Sequence, residues 1–148
     1  MNEIESYPFP PDRSYDAEHH LWSQHEPATG RVRVGMDVLG LESLGDLVFI
    51  SLKPAGTRVR RGEALGTLEA AKMTGEISAP LGGTVVEVNP AVLRDAHLVN
   101  RSPYDEGWLV RLEPLDWPGD SGALVGPERL AAWVRAEVQR YREQGWIG

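Results

Sequence analysis

Leu68-Glu-Ala-Ala-Lys-Met-Thr-Gly-Glu-Ile77 sets a single lysine between two segments with the texture of β-strands. Ala64 to Ala70 reads as one strand and Gly75 to Ala79 as the next, so Lys72 falls at a hairpin tip. Working outward, Leu47-Val-Phe-Ile-Ser-Leu52 is a strongly apolar strand, and Pro54-Ala-Gly56 and Arg60-Arg-Gly62 turn the chain. On the other side, Pro80-Leu-Gly-Gly83 is a turn before Thr84 to Val88, and Trp108 to Leu112 reads as a closing strand. Short strands at this spacing, punctuated by Gly and Pro, predict a mainly β fold, a small sandwich or barrel. There is a faint internal echo, since Gly56-Thr-Arg-Val59 followed by Gly62 resembles Gly83-Thr-Val-Val86.

The flanks carry other elements. Glu18 to Gln24 and Arg31 to Met36 enclose the turn-rich Glu26 to Gly30, and Val32 and Val34 alternate with Arg31 and Arg33, which predicts a hairpin. Asp37 is placed to cap a short helix over Val38 to Leu44, with Gly45 just past its end. Pro127 opens a helix ended by Gly145, whose Leu130, Trp133, Val134, Val138 and Tyr141 share one face. That stripe is expected to pack on the sheet. Tyr7-Pro-Phe-Pro-Pro11 has no periodicity and reads as an extended arm.

Composition narrows the function. The 148 residues contain no cysteine, so neither disulfides nor thiolate metal ligands are available, and any thiol redox chemistry must come from something attached. A formal net charge of −7 disfavours nonspecific nucleic-acid binding. Met1 to Pro11 has neither a basic start nor an apolar run, and nothing approaches the roughly 20 apolar residues of a membrane span. A cytoplasmic protein is expected, with no membrane or nucleic-acid partner. No phosphate loop, dinucleotide fingerprint or nucleophile elbow occurs. His19, His20 and His25 lie near Glu18 and Glu26, but neighbouring side chains on a strand point to opposite faces, so packing or surface roles are expected and no metal. Arg58, Arg60 and Arg61 form the one dense basic cluster, a solvated loop or a contact for an acidic partner. The chain has only two lysines, Lys53 and Lys72, against thirteen arginines. A lysine at a hairpin tip offers a primary amine for acylation, which a guanidinium cannot.

Several motifs together resemble the glycine-cleavage H protein family of lipoyl carriers. They are Leu44-Gly-Asp-Leu-Val-Phe49, Gly62-Glu63, Glu69 with Lys72 three residues on, and Ser78-Ala-Pro80. Further on come Gly83, Val85-Val-Glu-Val-Asn89, Leu98-Val-Asn100 and Pro103-Tyr-Asp-Glu-Gly-Trp108, of which the last two are specific to H-type carriers. The resemblance implies a barrel-sandwich hybrid (lipoyl-domain-like) with an N-terminal hairpin, a short helix and a C-terminal helix at about 127–144. It implies an arm over residues 1–14 and a carrier domain over 15–148. It also implies that Lys72 takes lipoate covalently, that Glu69 belongs to the recognition turn, and that the chain is no enzyme but a substrate of its partners. Those partners would be a lipoate ligase or lipoyl transferase and a dihydrolipoamide dehydrogenase-like oxidoreductase.

The turn departs from the family. A typical H protein reads Glu-Ser-Val-Lys there, whereas this chain reads Glu69-Ala-Ala-Lys72 followed by Met73, and the His-Glu-Trp stretch is His19-His-Leu-Trp22. These changes favour the lipoate-binding proteins of bacterial sulfur oxidation, which resemble H proteins and serve a heterodisulfide-reductase-like complex. The alternatives are the glycine-cleavage role itself, a biotin carrier (Lys72-Met73 echoes the biotinyl turn, but Ala71 stands where its first methionine belongs), and an unmodified binding module.

Overall fold

The computed structural model describes residues 3–148. The first two residues of the expected 1–14 arm lie outside it. Two short strands, β1 (Glu3–Ile4) and β2 (Tyr7–Pro8), form an N-terminal hairpin. A six-stranded sheet follows, with spatial order β3-β4-β5-β11-β10-β7. Its strands are β3 (Ser14–Tyr15), β4 (Leu21–His25), β5 (Val32–Met36), β7 (Arg58–Val59), β10 (Gly83–Val88) and β11 (Val110–Pro114). A three-stranded sheet is built from β6 (Leu47–Leu52), β8 (Ala64–Ala70) and β9 (Thr74–Ser78) in the order β6-β8-β9. Helices are α1 (Val38–Leu44), α2 (Pro90–Arg94), α3 (His97–Arg101), α4 (Trp117–Gly122) and α5 (Pro127–Glu143). Among the described residues no helix is long and apolar enough to cross a membrane.

Alternation along the strands explains the layering. The main core takes Val32, Val34, Val85 and Leu112 from the larger sheet and Ile50, Leu65, Leu68 and Ile77 from the smaller one. Each such aliphatic side chain contributes about 1.5–3 kcal/mol on burial. Within β4 the neighbours Leu21 and Trp22 point into different cores, so this strand separates the main core from a second one. The second core joins Phe9, Tyr15, Trp22 and Leu39 to Leu130, Val134, Val138 and Tyr141 of α5. Phe9 is buried, with its ring 5.3 Å from Tyr15 and 5.9 Å from Trp133. Tyr104 fastens this corner: its hydroxyl donates to Pro8 O at 2.7 Å and accepts from Val38 N at 3.2 Å.

The expected mainly β fold with a C-terminal helix is present, and Asp37 caps α1 by accepting from Gly40 N at 2.9 Å. Three details differ. The strand expected over Trp108 to Leu112 runs from Val110 to Pro114 and does not close an edge, since it sits between β5 and β10. The short helices α2, α3 and α4 carry too few residues for a periodic pattern and had no prediction. On α5, Glu137 shares the buried face with the apolar stripe. The sequence echo acquires a structural meaning, because β7 pairs antiparallel with β10, Val59 opposite Gly83 and Arg58 opposite Thr84.

Candidate functional site

Lys72 stands at the tip of the β8–β9 hairpin. Ala70 N donates to Met73 O at 2.8 Å, leaving Ala71 and Lys72 as the two tip residues. Neither has a positive φ. Two-residue hairpins ordinarily use primed turns, which need positive φ, because other turns splay the strands. Here the tip is held from outside. Ala71 N donates to Asp46 O at 2.9 Å and Lys72 N to Leu44 O at 3.1 Å. The junction of α1 and β6 is thus a platform on which the turn rests.

The platform is itself clamped. Gly45 adopts φ 81, and a Cβ there would stand 3.2 Å from Ala71 Cβ and 3.7 Å from Lys72 Cγ, so glycine gives both the helix stop and room for the lysine stem. From α3, Asn100 Nδ2 donates to Gly45 O at 3.2 Å while its Oδ1 accepts from Leu47 N at 2.9 Å. His97 Nε2 lies 3.2 Å from Asp46 Oδ1. Gly45 and Asn100 were visible in the sequence as parts of motifs, but nothing in them announced that they support the turn.

The amine is accessible. Lys72 is exposed, and Nζ has one long hydrogen bond, 3.3 Å to Glu42 O. Glu69 is also exposed, on β8 opposite Thr74, and makes no ion pair with Lys72 among the described residues. A free primary amine on a stiff turn, with no side chain closing over it, fits the attachment of an acyl group. Beside the tip, between α1 and β9, a cleft of about 160 Å³ is lined by Ser43, Leu44, Met73, Glu76 and Ile77, with His19 and His20 at its back.

The histidines do not form one site. His19 and His25 are exposed, whereas His20 is buried. Its Nδ1 lies 2.8 Å from Asp37 Oδ2 and its Nε2 2.8 Å from Glu137 Oε1. Two carboxylate partners require both ring nitrogens to donate, which is the imidazolium form. Burial works to lower the His20 pKa, but the charge and hydrogen bonds of Asp37 and Glu137 outweigh it and hold the ring above its ordinary 6.5. Burial likewise tends to raise Glu137, but hydrogen bonds from Arg140 and His20 hold its carboxyl below the ordinary 4.5. The bridge locks α5 to the cap of α1. Packing or surface roles were expected for the three histidines; His20 takes the packing role, and its partner Glu137, 117 positions away, could not be seen from sequence.

The arginine cluster lies at the opposite end of the β8–β9 hairpin from Lys72. Arg58 and Arg60 line a groove of about 510 Å³ together with Leu115, and Arg61 reaches Asp120 at 4.0 Å. It shares nothing with the lysine tip.

Against known proteins, the family described as Glycine cleavage H-protein matches residues 13–137. The glycine cleavage system H protein of Chlorobaculum tepidum is 39% identical over 124 residues, covering 84% of this chain and 96% of that one. That of Thermus thermophilus is 40% identical over 129 residues, covering 87% and 98%. The crystal structure of a glycine cleavage system H protein from Mycobacterium marinum superposes with a TM-score of 0.74 at 36% identity, over 84% of this chain and 97% of that chain.

Proposed function

This chain belongs to the glycine cleavage H-protein family, whose members are non-catalytic lipoyl carriers, and from that premise we propose that it carries lipoate on Lys72 as the shuttle of a glycine-cleavage system. The observation that carries the reading is the exposed Lys72 amine on a turn held by backbone bonds to Leu44 and Asp46. Relatives named for glycine cleavage support that role over the sulfur-oxidation role to which the altered turn pointed. The turn's departures leave its shape intact, because the bonds that hold it are made by backbone atoms.

Each residue then has a task. Lys72 Nζ, as the neutral amine, would form the amide bond to the carboxyl carbon of an activated lipoate as the bond to the activating group breaks, and the proton shed by the nitrogen would pass to solvent. Glu69 marks the turn for the modifying enzyme by offering an exposed carboxylate three residues before the target. Gly45 and Asn100 fix where the arm is rooted. When attached, lipoate supplies the thiol–disulfide chemistry that a cysteine-free chain lacks, with an aminomethyl group as cargo. Tethering keeps that cargo at high effective concentration beside its enzymes. The partners are a lipoate ligase or lipoyl transferase, the glycine-cleavage enzymes, and a dihydrolipoamide dehydrogenase-like oxidoreductase in the cytoplasm.

The test is co-expression with a lipoate ligase and, separately, a biotin ligase, followed by intact mass and peptide mapping. A lipoyl adduct on Lys72 is expected. A biotin adduct instead would overturn the reading in favour of a biotin carrier, and no adduct in favour of an unmodified binding module. Reconstitution with glycine-cleavage enzymes then separates the two lipoyl pathways: failure to support glycine decarboxylation would remove the glycine-cleavage assignment.

A further inference from the structure

Strand β6 carries its side chains out of step. Starting from buried Leu47, strict alternation would expose Val48, bury Phe49 and expose Ile50. Instead Val48 is 68% and Phe49 51% exposed, while Ile50 is 1% exposed. The cause is a β-bulge against β8: Leu47 faces Ala70 and Phe49 already faces Glu69, so one residue is inserted and the phase flips. Bulges of this kind re-aim side chains and gather next to functional sites. Here the bulge sends Ile50 into the core and turns an aromatic ring outward.

The ring's surroundings are specific. On the outer face of the three-stranded sheet Phe49 stands opposite Glu69, which stands opposite Thr74; in the next row come Ser51, Thr67 and Glu76. Phe49 is thus the one aromatic ring on an otherwise polar and acidic face.

Glu69 precedes Lys72 by three residues, at most roughly 10 Å at strand rise, and Phe49 stands about 5 Å beside Glu69, so Phe49 lies within roughly 15 Å of the lysine Cα. A protein that encloses Lys72 with an ordinary footprint of about 800 Å² covers a disc roughly 16 Å in radius. Phe49 lies inside that disc.

We propose that Val48 and Phe49 are the apolar anchor on which the enzyme that acylates Lys72 docks, with Glu69 and Glu76 as the flanking charges. The inference rests on the carrier reading above and adds to it the face by which the carrier is recognised. The partner surface that fits is a shallow apolar pocket bordered by arginine or lysine, beside the channel that delivers the activated acyl group. Aromatic side chains at the centre of an interface carry a disproportionate share of affinity.

The experiment measures initial rates of lipoylation of the full chain by a lipoate ligase with ATP and lipoate, read by intact mass over a range of carrier concentrations. Phe49→Thr is expected to raise KM for the carrier about ten- to thirty-fold with little change in kcat, in line with loss of one interface hot spot. Phe49→Leu, which keeps an apolar side chain, should recover most of that loss. Leu115→Ser removes another exposed apolar residue, at the far end of the molecule, and should leave KM unchanged. An unaltered KM for Phe49→Thr in a protein with the wild-type unfolding midpoint would overturn the proposal. So would an equal rise for Leu115→Ser. Should Phe49→Thr unfold, Phe49→Tyr decides: a new hydroxyl in the apolar pocket raises KM if the anchor is real and changes nothing if it is not. Wild-type chain that takes no lipoate on Lys72 would instead sink the carrier reading, and this inference with it.

Discussion

Two regions of the molecule are held in opposite ways. The lysine tip is fixed by main-chain hydrogen bonds, Ala71 N to Asp46 O and Lys72 N to Leu44 O, with its side chains left exposed. The seam under α5 reaches that helix through side chains: His20 lies between Asp37 and Glu137, all three buried, with Arg140 donating to both oxygens of Glu137. Backbone bonds do not depend on residue identity, so the tip tolerates a change of sequence without a change of shape. The seam has no such freedom. This is why Glu69-Ala-Ala-Lys72 can depart from the family's usual turn while the scaffold beneath it remains recognisable.

The strongest way to break the contrast is Lys72→Arg. Lipoylation should vanish entirely in intact mass, while the urea midpoint stays within about 0.5 kcal/mol of wild type, as for other exposed substitutions. A modified Lys72→Arg protein would show that the acylated residue lies elsewhere, Lys53 being the other lysine.

Next in size is His20→Ala. It leaves two buried carboxylates without their shared cation, and loss of one member of a buried pair costs about 3–5 kcal/mol. Chemical unfolding would register it; a loss below about 1 kcal/mol would mean the bridge is not the lock described. The same variant sharpens the comparison through pH. His20 is raised above its ordinary 6.5, so its contribution is complete below that pH and is lost as pH rises through the folded value. Glu137 is lowered below 4.5, so its contribution is complete above that pH and is lost as pH falls through the folded value. The stability gap between wild type and His20→Ala should therefore be widest between about pH 4.5 and 6.5 and narrow as the pH rises further through the folded His20 value. A gap that does not vary with pH would refute the imidazolium assignment.

Asn100→Ala comes third. Removing both its bonds, to Gly45 O and Leu47 N, should destabilise by about 1–3 kcal/mol. It should also slow lipoylation more than Lys72's distance from Asn100 along the chain would suggest, because the platform loosens. Smallest is Ala71→Ser, expected to change stability by less than about 0.5 kcal/mol and the modification rate not measurably. A large effect there would mean the tip is read by side chain after all.

The sequence displayed the parts of this site that depend on local chemistry. The hairpin position of Lys72 and the cap at Asp37 were legible, since turns and caps are short-range, whereas the roles of Lys72 and Glu69 came from the family resemblance. What was hidden depends on contacts between distant segments. Asn100 lies on a helix too short to have a pattern. Glu137 reads as one more polar residue on a surface helix until His20 is brought against it. Phe49 sits in an apolar run that gives no sign of a bulge, because a bulge is a property of two strands in register and not of one.

The clamp on the tip has a consequence for the order of events during synthesis. The β8–β9 hairpin closes on itself from neighbouring residues and needs nothing that follows. The tip rests on Leu44 and Asp46, already made, but the platform that carries them is clamped only when Asn100 has been made, and the larger sheet is incomplete until Val110 reaches Val34. Such distant pairings close slowly. A nascent chain therefore presents its lysine on a turn whose platform is completed only by residues made later.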